Sequence, residues 1–355
     1  MLRETQIDRQ SISKILVLKA ICDKEDSVYV FITMSLSLFL LQILPTGFFE
    51  SDIVNFLFFS FVGCLLLYAI YYRRRKSSGV LEKDVLGQHV VYKYGFYELQ
   101  GRRPYMEDRY DVRGEIAGDP AKTMYAVFDG HGGSHASEFC TEAVHRNIVT
   151  SGLLEKSTKR ALKTAMLHTD DEYLKLANRN GRDDGTTAIV VYVNGRDITC
   201  ANIGDSRAVL VLRNGGVIPL SNDHKPNRKD ERERIEALGG SVSLWGVWRV
   251  EGCLAVSRAI GDRMLKDYVS AEPEIVERTI TKDDAFIVIA TDGLWDVLSN
   301  QTVAQISCNV AKRSQRGVQE VAEALAQDAY AKGSTDNISV IVLDLRDGPK
   351  TIRND

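Results

Sequence analysis

The sequence predicts an α/β protein in which two antiparallel β-sheets pack against each other between layers of helices, an αββα sandwich. Three observations predict this fold class. Short β-rich segments recur from about residue 91 onwards, glycine-containing tight turns join some of them directly, and amphipathic helical segments separate the groups. With 44% hydrophobic residues among 355, the chain can build a large core.

A predicted membrane anchor precedes this domain at residues 28–72. It contains two uncharged hydrophobic runs, 28–44 and 53–72, whose lengths are close to the roughly 20 residues that a helix needs to cross a bilayer. Basic residues lie upstream of the first run and in the sequence RRRK after the second, whereas the connecting loop has none. By the positive-inside rule, this pattern predicts a transmembrane hairpin with a cytoplasmic N-terminal segment at 1–27.

The anchor leads us to expect an integral membrane protein whose soluble domain faces the cytosol. The first run, at 17 residues, favours a thin bilayer such as the endoplasmic reticulum or another endomembrane, and a single span at 53–72 stays open. A cleaved signal peptide is disfavoured because the apolar run starts late and no small-residue cleavage site follows it. The RRRK sequence could also contact anionic membrane lipid.

A linker at 73–91 leads into the soluble domain, predicted at 92–346, and a short tail follows at 347–355. The predicted strands carry the sequences TMYAVFD, TTAIVVYV, DITCANIG, SRAVLVLR, AFIVIATD and ISVIVLDL. Asn194-Gly195 and the sequence RNGGV are hairpin signals between strands. Consecutive hairpins favour antiparallel sheets over a Rossmann-type sheet of parallel strands.

Three helices are predicted from apolar residues at helical spacing. The first, GGSHASEFCTEAVHRNIV, has Ser134 as its expected N-cap. The second, STKRALKTAMLHTDDEYLKLANRNG, ends at Gly181, and the third, RGVQEVAEALAQDAYAKG, is closed by Gly333. Packed on the two sheets, they complete the layered sandwich.

Composition limits the function classes. The formal net charge of −3 gives no electrostatic case for nucleic acid as a partner. The six cysteines are widely spaced and contain no C-x-x-C pair, which is typical of free thiols in a reducing compartment rather than of disulfides or a zinc site.

Acidic residues collect at the ends of the predicted strands. If those ends meet, five or six carboxylates share one cleft, and such a group must be protonated or held by cations. Oxygen ligands without a His-Cys grouping favour Mg²⁺ or Mn²⁺ over zinc. The acids that adjoin apolar strands are Glu107, Asp108, Asp129, Asp205, Asp292 and Asp336.

Each of these residues also has a purely structural interpretation. A lone Asp after a strand is commonly a turn or helix-cap residue, and this applies most to Asp262 and Asp296. His131 could be a turn residue, and Arg103 a solvated surface charge. Gly130, directly after Asp129, would let the backbone approach a metal ion closely enough for its carbonyl to ligate.

The ordered motifs GRRPYMEDR, MYAVFDGHGG, GTTA, ANIGDSRA, DHKP, WRVEGCLAVSRAIGD, ATDGLWDVL and STDNISVIV resemble the metal-dependent, type 2C class of protein serine/threonine phosphatases. The resemblance covers about residues 92–346. The added N-terminal anchor is similar to the membrane-tethered "protein phosphatase 1-like" branch of that class. The segment 245–249 resembles the variable flap beside the family's cleft.

The resemblance implies a metal role for five residues. Asp129 is expected to bridge two Mn²⁺ or Mg²⁺ ions. The Gly130 carbonyl and, through water, Glu107 would serve one ion. Asp292 and Asp336 would hold the other. No core position departs from the family pattern.

It also implies roles around the two ions. Asp108 would accept hydrogen bonds from metal-bound waters, and Asp205 would help to bind a weaker third ion, with Asp296 as a further ligand. Arg103 would hold the substrate phosphate. His131 would protonate the departing serine or threonine oxygen.

The expected function is therefore hydrolysis of phosphoserine and phosphothreonine on protein substrates, by attack of a water that bridges two metal ions, in a membrane-anchored enzyme with a monomeric catalytic domain. Two other classes stay open. One is a catalytically silent, membrane-tethered scaffold that binds phosphoproteins. The other is a different two-metal phosphoesterase such as a nuclease, which the absence of a basic patch disfavours.

Overall fold

The structure, a computed structural model, describes residues 81–83 and 89–349. The predicted N-terminal segment and the anchor at 28–72 lie outside the described residues, as do most of the linker and the end of the tail. Within the described residues, no helix combines the length and the apolar character needed to cross a bilayer.

Sixteen β-strands are present in the described residues, and most pair as hairpins or with sheet neighbours in antiparallel register. They are β1 (Leu81–Lys83), β2 (His89–Leu99), β3 (Arg109–Arg113), β4 (Lys122–Phe128), β5 (Gly130–His131), β6 (Gly185–Thr186), β7 (Ala188–Asn194), β8 (Asp197–Ile203), β9 (Arg207–Leu212), β10 (Val217–Pro219), β11 (Val242–Trp245), β12 (Val247–Val250), β13 (Ile260–Gly261), β14 (Glu274–Thr279), β15 (Asp284–Ala290) and β16 (Ile338–Asp344).

Six α-helices accompany the strands in the described part of the chain. They are α1 (His135–Thr150), α2 (Thr158–Asn180), α3 (Lys229–Ala237), α4 (Asp292–Trp295), α5 (Asn300–Arg313) and α6 (Val318–Ala331).

The predicted αββα sandwich is confirmed. One large sheet has the strand order β1-β2-β16-β15-β9-β10, and the other has the order β14-β8-β7-β4-β3. Apolar side chains of both inner faces form a shared core that includes Tyr125, Ile189 and Ile287. Helices α5 and α6 cover the outer face of the first sheet, and α1 and α2 cover the second. Burial of these apolar faces is the main stabilising contribution of such a fold.

The predicted hairpin at Asn194-Gly195 is present, with its turn one residue further along. Asn194 pairs with Asp197, so Gly195 and Arg196 form the two-residue turn, and Gly195 has a φ of 60° that glycine adopts without strain. The RNGGV turn likewise joins β9 to β10.

Ser134 stands at the predicted N-cap position of α1, but its hydroxyl makes no capping bond and donates to Glu138 instead. The free N–H of Ala136 is satisfied by the carboxylate of Asp184, at 3.0 Å. The helix start is therefore held by a residue 48 positions away, which local sequence cannot reveal.

Strand β2 was not predicted from the sequence, although it lies inside the first sheet. Lys93 and Gly95 interrupt its hydrophobic pattern, and α6 packs so closely that a Cβ on Gly95 would lie 2.5 Å from the Gln319 backbone. Since Val90 and Val91 are buried in the core, the sandwich begins before the predicted boundary at residue 92. Helices α3, α4 and α5 were also not predicted.

Candidate active site

Three aspartates from three different strand ends come together at one edge of the sandwich. Asp129 follows β4, whose residues are all buried, Asp292 begins α4 two residues after the end of β15, and Asp205 lies between β8 and β9. One carboxylate oxygen from each lies within 4.8 Å of the others. A strand buried along its whole length holds the residue at its end rigidly, so this convergence is a property of the fold.

The electrostatics of this three-aspartate cluster are unfavourable without a cation. Burial, followed by the charges of Asp108 and Asp292, raises the pKa of Asp129 well above its usual range. Burial and the charge of Asp205 do the same to the pKa of Asp292. Carboxylates this close are stabilised as anions by a divalent ion, and an all-oxygen set suits Mg²⁺ or Mn²⁺. The cluster therefore fits a metal site.

Asp108 lies just behind the cluster and is fully buried. Its Oδ2 accepts a hydrogen bond of 2.9 Å from the Thr291 hydroxyl. Burial outweighs the hydrogen bonds to the carboxylate and raises the pKa of Asp108 to about 7.

Glu107 and Gly130 face each other across a tight backbone contact. The Ser137 hydroxyl donates to the Glu107 carbonyl at 2.6 Å, and a Cβ on Gly130 would lie 2.6 Å from that same oxygen. Gly130 is thus required for packing, a role that the sequence analysis did not anticipate. Its carbonyl and the Glu107 carboxylate stay predicted metal ligands.

Asn337 holds the loop that carries Glu107. Its side-chain amide donates to the carbonyls of Gln100 and Tyr105, at 2.8 and 3.0 Å, and its Oδ1 accepts from the Glu107 N–H at 2.8 Å. Asn337 lies in a glycosylation sequon but is only 4% exposed, with both ends of its amide engaged. A glycan at this position would require the loop to unfold.

Asp336, predicted to share an ion with Asp292, is not one of the three aspartates in the close cluster, and its role as a metal ligand stays a prediction. Its charge still acts on Asp129 and Asp292. Its Oδ2 pairs with the Arg103 guanidinium at 2.6 Å, and the Arg103 side chain is 52% exposed. Arg103 therefore lies at the mouth of the same cleft and is directed into it.

Asp205 and Asp296 share a protein cation. The Lys225 ammonium lies 2.5 Å from Asp205 and 3.8 Å from Asp296. Burial alone would lower the pKa of Lys225, but the charge of Asp205 outweighs it and raises that pKa well above its usual range. The two predicted ligands of a third ion are thus adjacent, and a lysine neutralises part of their charge.

His131 pairs with Asp262, its Nε2 lying 3.0 and 2.8 Å from the two carboxylate oxygens. Burial opposes protonation of the ring, but the neighbouring Asp262 charge outweighs burial and raises the pKa of His131. Asp262 stands at the N-cap position of a short 3-10 helix, Arg263–Leu265, but its side chain makes no capping hydrogen bond and pairs with His131 instead.

The structure brings Asp129, Asp205 and Asp292 together and shows three further residues in contact with predicted site residues: Lys225, Asp262 and Asn337. Each lies inside a motif already noted, namely DHKP, SRAIGD and STDNIS. Their presence in those motifs was a usable signal, but their partners could be seen only after folding.

The predicted flap corresponds to the two-stranded hairpin of β11 and β12, which is separate from both large sheets. Its tip exposes Leu244, Trp245 and Val247, with Trp245 70% exposed.

Comparison with known proteins identifies the family. The model of the family Protein phosphatase 2C matches residues 92–338. The chain belongs to the protein phosphatase 2C family. Like other members, it is a protein phosphatase, and the family's metal dependence agrees with the three-aspartate cluster.

Relatives and structures support this assignment. The chain is 40% identical over 280 residues to "Probable protein phosphatase 2C 56" of Oryza sativa subsp. japonica, covering 79% of this chain and 78% of that protein. It is 43% identical over 249 residues to "Probable protein phosphatase 2C 7" of the same plant, covering 70% and 64%. A crystal structure of a phosphatase from Toxoplasma gondii has a TM-score of 0.67 at 26% identity, covering 75% of this chain and 96% of that one.

Proposed function

We propose that this enzyme hydrolyses phosphoserine and phosphothreonine on proteins, using a water activated between two bound Mn²⁺ or Mg²⁺ ions. The observation that carries the proposal is the three-aspartate cluster of Asp129, Asp205 and Asp292. Because burial and mutual repulsion raise the pKa values of Asp129 and Asp292, the site has a strong electrostatic demand for cations. Family membership supplies the reaction class.

The bound ions would supply a nucleophilic water at neutral pH and neutralise charge on the phosphoryl group. Asp129, Asp292 and Asp336, with Glu107 and the Gly130 carbonyl, would hold them. Asp108 would orient water beside them, and its buried carboxyl is fixed for this by Thr291.

Arg103 and His131 would act on the substrate. The ion pair of Arg103 with Asp336 is partly solvated, and exposed pairs of this kind contribute only about 0–1 kcal/mol. Arg103 can therefore exchange this partner for a dianionic phosphate. His131 would donate a proton to the serine or threonine oxygen as it leaves, because an alkoxide is a poor leaving group.

One experiment tests the reaction and its alternatives. Phosphate release is measured from a phosphothreonine peptide, with Mn²⁺, with Mg²⁺ and after EDTA, and cleavage of single-stranded DNA is measured in parallel. Metal-dependent release from the peptide alone is expected. Peptide binding that survives EDTA without release would indicate a scaffold, and DNA cleavage would indicate a nuclease.

We also propose that residues 28–72 anchor the enzyme in an endomembrane, with the domain in the cytosol and the remaining linker as a tether. The two apolar runs and the flanking basic residues support this proposal. Resistance of the full chain to carbonate extraction tests the anchor. Endoglycosidase treatment tests the orientation, since the glycosylation sequons Asn300-Gln301-Thr302 and Asn337-Ile338-Ser339 should carry no glycan on a cytosolic domain. Size-exclusion chromatography of the soluble domain tests the proposed monomer.

A further inference from the structure

A small three-stranded sheet brings His131 and Asp262 together. Its strand order is β13-β6-β5, so β6 lies in the middle. His131 and Gly261 both pair with Gly185, one from each side. Asp262 follows Gly261 directly, and its N–H donates to the Asp184 carbonyl at 3.2 Å. His131 on β5 and Asp262 just after β13 are therefore held on the two sides of Gly185 in the central strand β6.

Gly185 leaves the space in which they meet. A Cβ at this position would lie 2.1 Å from Asp262 Oδ2 and 2.6 Å from His131 Nε2. Both separations are shorter than any van der Waals contact, so even an alanine would force the ion pair to move. The pair depends on the absence of one methyl group.

The chemistry of the contact determines which ring nitrogen carries the proton. A carboxylate only accepts hydrogen bonds, and both Asp262 oxygens lie within 3.0 Å of Nε2. Nε2 must therefore be the protonated, donating nitrogen. The other ring nitrogen, Nδ1, is left as the atom that can exchange a proton with a substrate.

The backbone around Asp262 is itself held in place. Asp262 has a φ of 51°, in the left-handed region, and is 6% exposed. The Asp170 carboxylate accepts from the Gly261 N–H at 2.9 Å and pairs with the Lys266 ammonium at 2.8 Å. Lys266 also donates to the Ala259 carbonyl at 3.0 Å. The contacts of Asp170 with Gly261 and Lys266 therefore attach the segment around Asp262 to helix α2.

We propose that Asp262 is a positioning residue for catalysis, which fixes the ring orientation of His131 and keeps one proton on Nε2, so that the second proton of the imidazolium is carried on Nδ1 and is given to the leaving group. This inference rests on the proposed function. As the bond from phosphorus to the serine or threonine oxygen breaks, an oxygen from water bonds to phosphorus and its surplus proton passes to solvent. The departing oxygen takes the Nδ1 proton, and solvent returns a proton to Nδ1.

The kinetic test uses two substrates with different leaving groups. A phosphothreonine peptide needs a proton donor, whereas p-nitrophenyl phosphate needs little protonation. Asp262→Asn is expected to lower kcat on the peptide by about 10- to 100-fold and on p-nitrophenyl phosphate by less than about 3-fold. In a His131→Ala background, Asp262→Asn should add almost nothing, because both residues act through one proton.

Two further variants separate positioning from a loss of structure. Gly185→Ala retains both side chains but pushes them apart, and should reproduce the substrate-selective loss. Asp267→Asn, an exposed acid in the same loop, should leave both rates unchanged. Thermal unfolding of each variant checks that it is folded.

Nuclear magnetic resonance of ¹⁵N-labelled histidine tests the geometry without activity. His131 should carry its proton on Nε2 in the metal-free protein, and this signature should change in Asp262→Asn. A proton found only on Nδ1 would overturn the inference, as would equal kinetic losses on both substrates or additive losses with His131→Ala. If the wild-type enzyme released no phosphate from the peptide, the proposed function would fail, and the tautomer measurement would still decide whether Asp262 positions His131.

Discussion

Two groups of buried acids in this domain have opposite electrostatics. In the cleft, Asp108, Asp129 and Asp292 have raised pKa values because burial and like charges dominate. On helix α3, the Glu231 carboxylate accepts hydrogen bonds of 2.6 Å from Arg258 and 3.0 Å from Arg234. Burial alone would raise the pKa of Glu231, but these arginines outweigh it and hold that pKa at about 2.

The comparison shows that the fold can neutralise a buried acid when the acid is structural. Glu274 gives a second case, since hydrogen bonding by His224 lowers its pKa despite partial burial. In the cleft, the close cluster is made of carboxylates, and Lys225 pairs with only one of its three members, Asp205. Cations from solution are therefore needed to neutralise the remaining negative charge of the cluster, and without them the folded protein is less stable.

The largest expected effect comes from Asp129→Asn. Loss of a proposed metal ligand should lower kcat for a phosphopeptide by about 10³-fold or more. Removal of one of several repelling charges should at the same time raise the melting temperature in EDTA by a few degrees, about 1 kcal/mol. A phosphopeptide assay with Mn²⁺ measures the change in kcat, and calorimetry without Mn²⁺ measures the change in melting temperature. Full activity, or a metal-free variant less stable than the wild type, would contradict the contrast between the repelling acids of the cleft and the paired acid Glu231. Asp267→Asn is the matched control.

Glu231→Gln should have the opposite consequence for stability. Two arginines lose their anionic partner, and breaking a buried pair typically costs about 3 kcal/mol. Since the pKa of Glu231 is lowered in the folded state, its contribution is fully present above the unfolded pKa near 4.5 and is lost as pH falls towards about 2. Urea unfolding at pH 7 and pH 3 should show a smaller difference between variant and wild type at the lower pH. An equal difference in stability at pH 7 and pH 3 would refute the lowered pKa of Glu231.

The stability contributed by Asp108 should change with pH in the direction opposite to that of Glu231. Its folded pKa, about 7, exceeds the usual value of 3.8, so the folded state binds the extra proton between these values. In EDTA, the wild-type protein should therefore become more stable as pH falls from 8 to 5, by about 2 kcal/mol from this group. Asp108→Asn should lack that gain. Chemical unfolding of both proteins at the two pH values provides the measurement, and identical gains would show that other groups are responsible.

The smallest expected effect concerns Lys225. In Lys225→Met the aliphatic stem is retained, but Asp205 and Asp296 lose their shared ammonium. A more negative site should bind Mn²⁺ about 10-fold more tightly, which corresponds to roughly 1.4 kcal/mol. Isothermal titration calorimetry measures this. Lys229→Met, at a lysine that is 91% exposed, is the control, and weaker binding in Lys225→Met would mean that Lys225 instead organises the site.

Much of the site could be predicted because an acid that follows an apolar strand is delivered to the edge of a buried sheet. That rule correctly brought Asp129, Asp205 and Asp292 to one cleft. It could not decide which acids would be in closest contact, and Asp336 lies outside the close cluster. Such distances depend on strand order and register, which arise from long-range packing.

The sequence by itself determined the layers of the sandwich, the hairpins and the delivery of carboxylates to one edge, since these follow from local periodicity, turn residues and strand ends. Only the tertiary structure decided the pairing of His131 with Asp262, 131 residues apart, the loop contacts of Asn337 and the Asp184 cap on α1. The physical reason is that a hydrogen bond between distant segments depends on positions to within a fraction of an ångström. Those positions are set by the packing of the whole core and by no single stretch of chain.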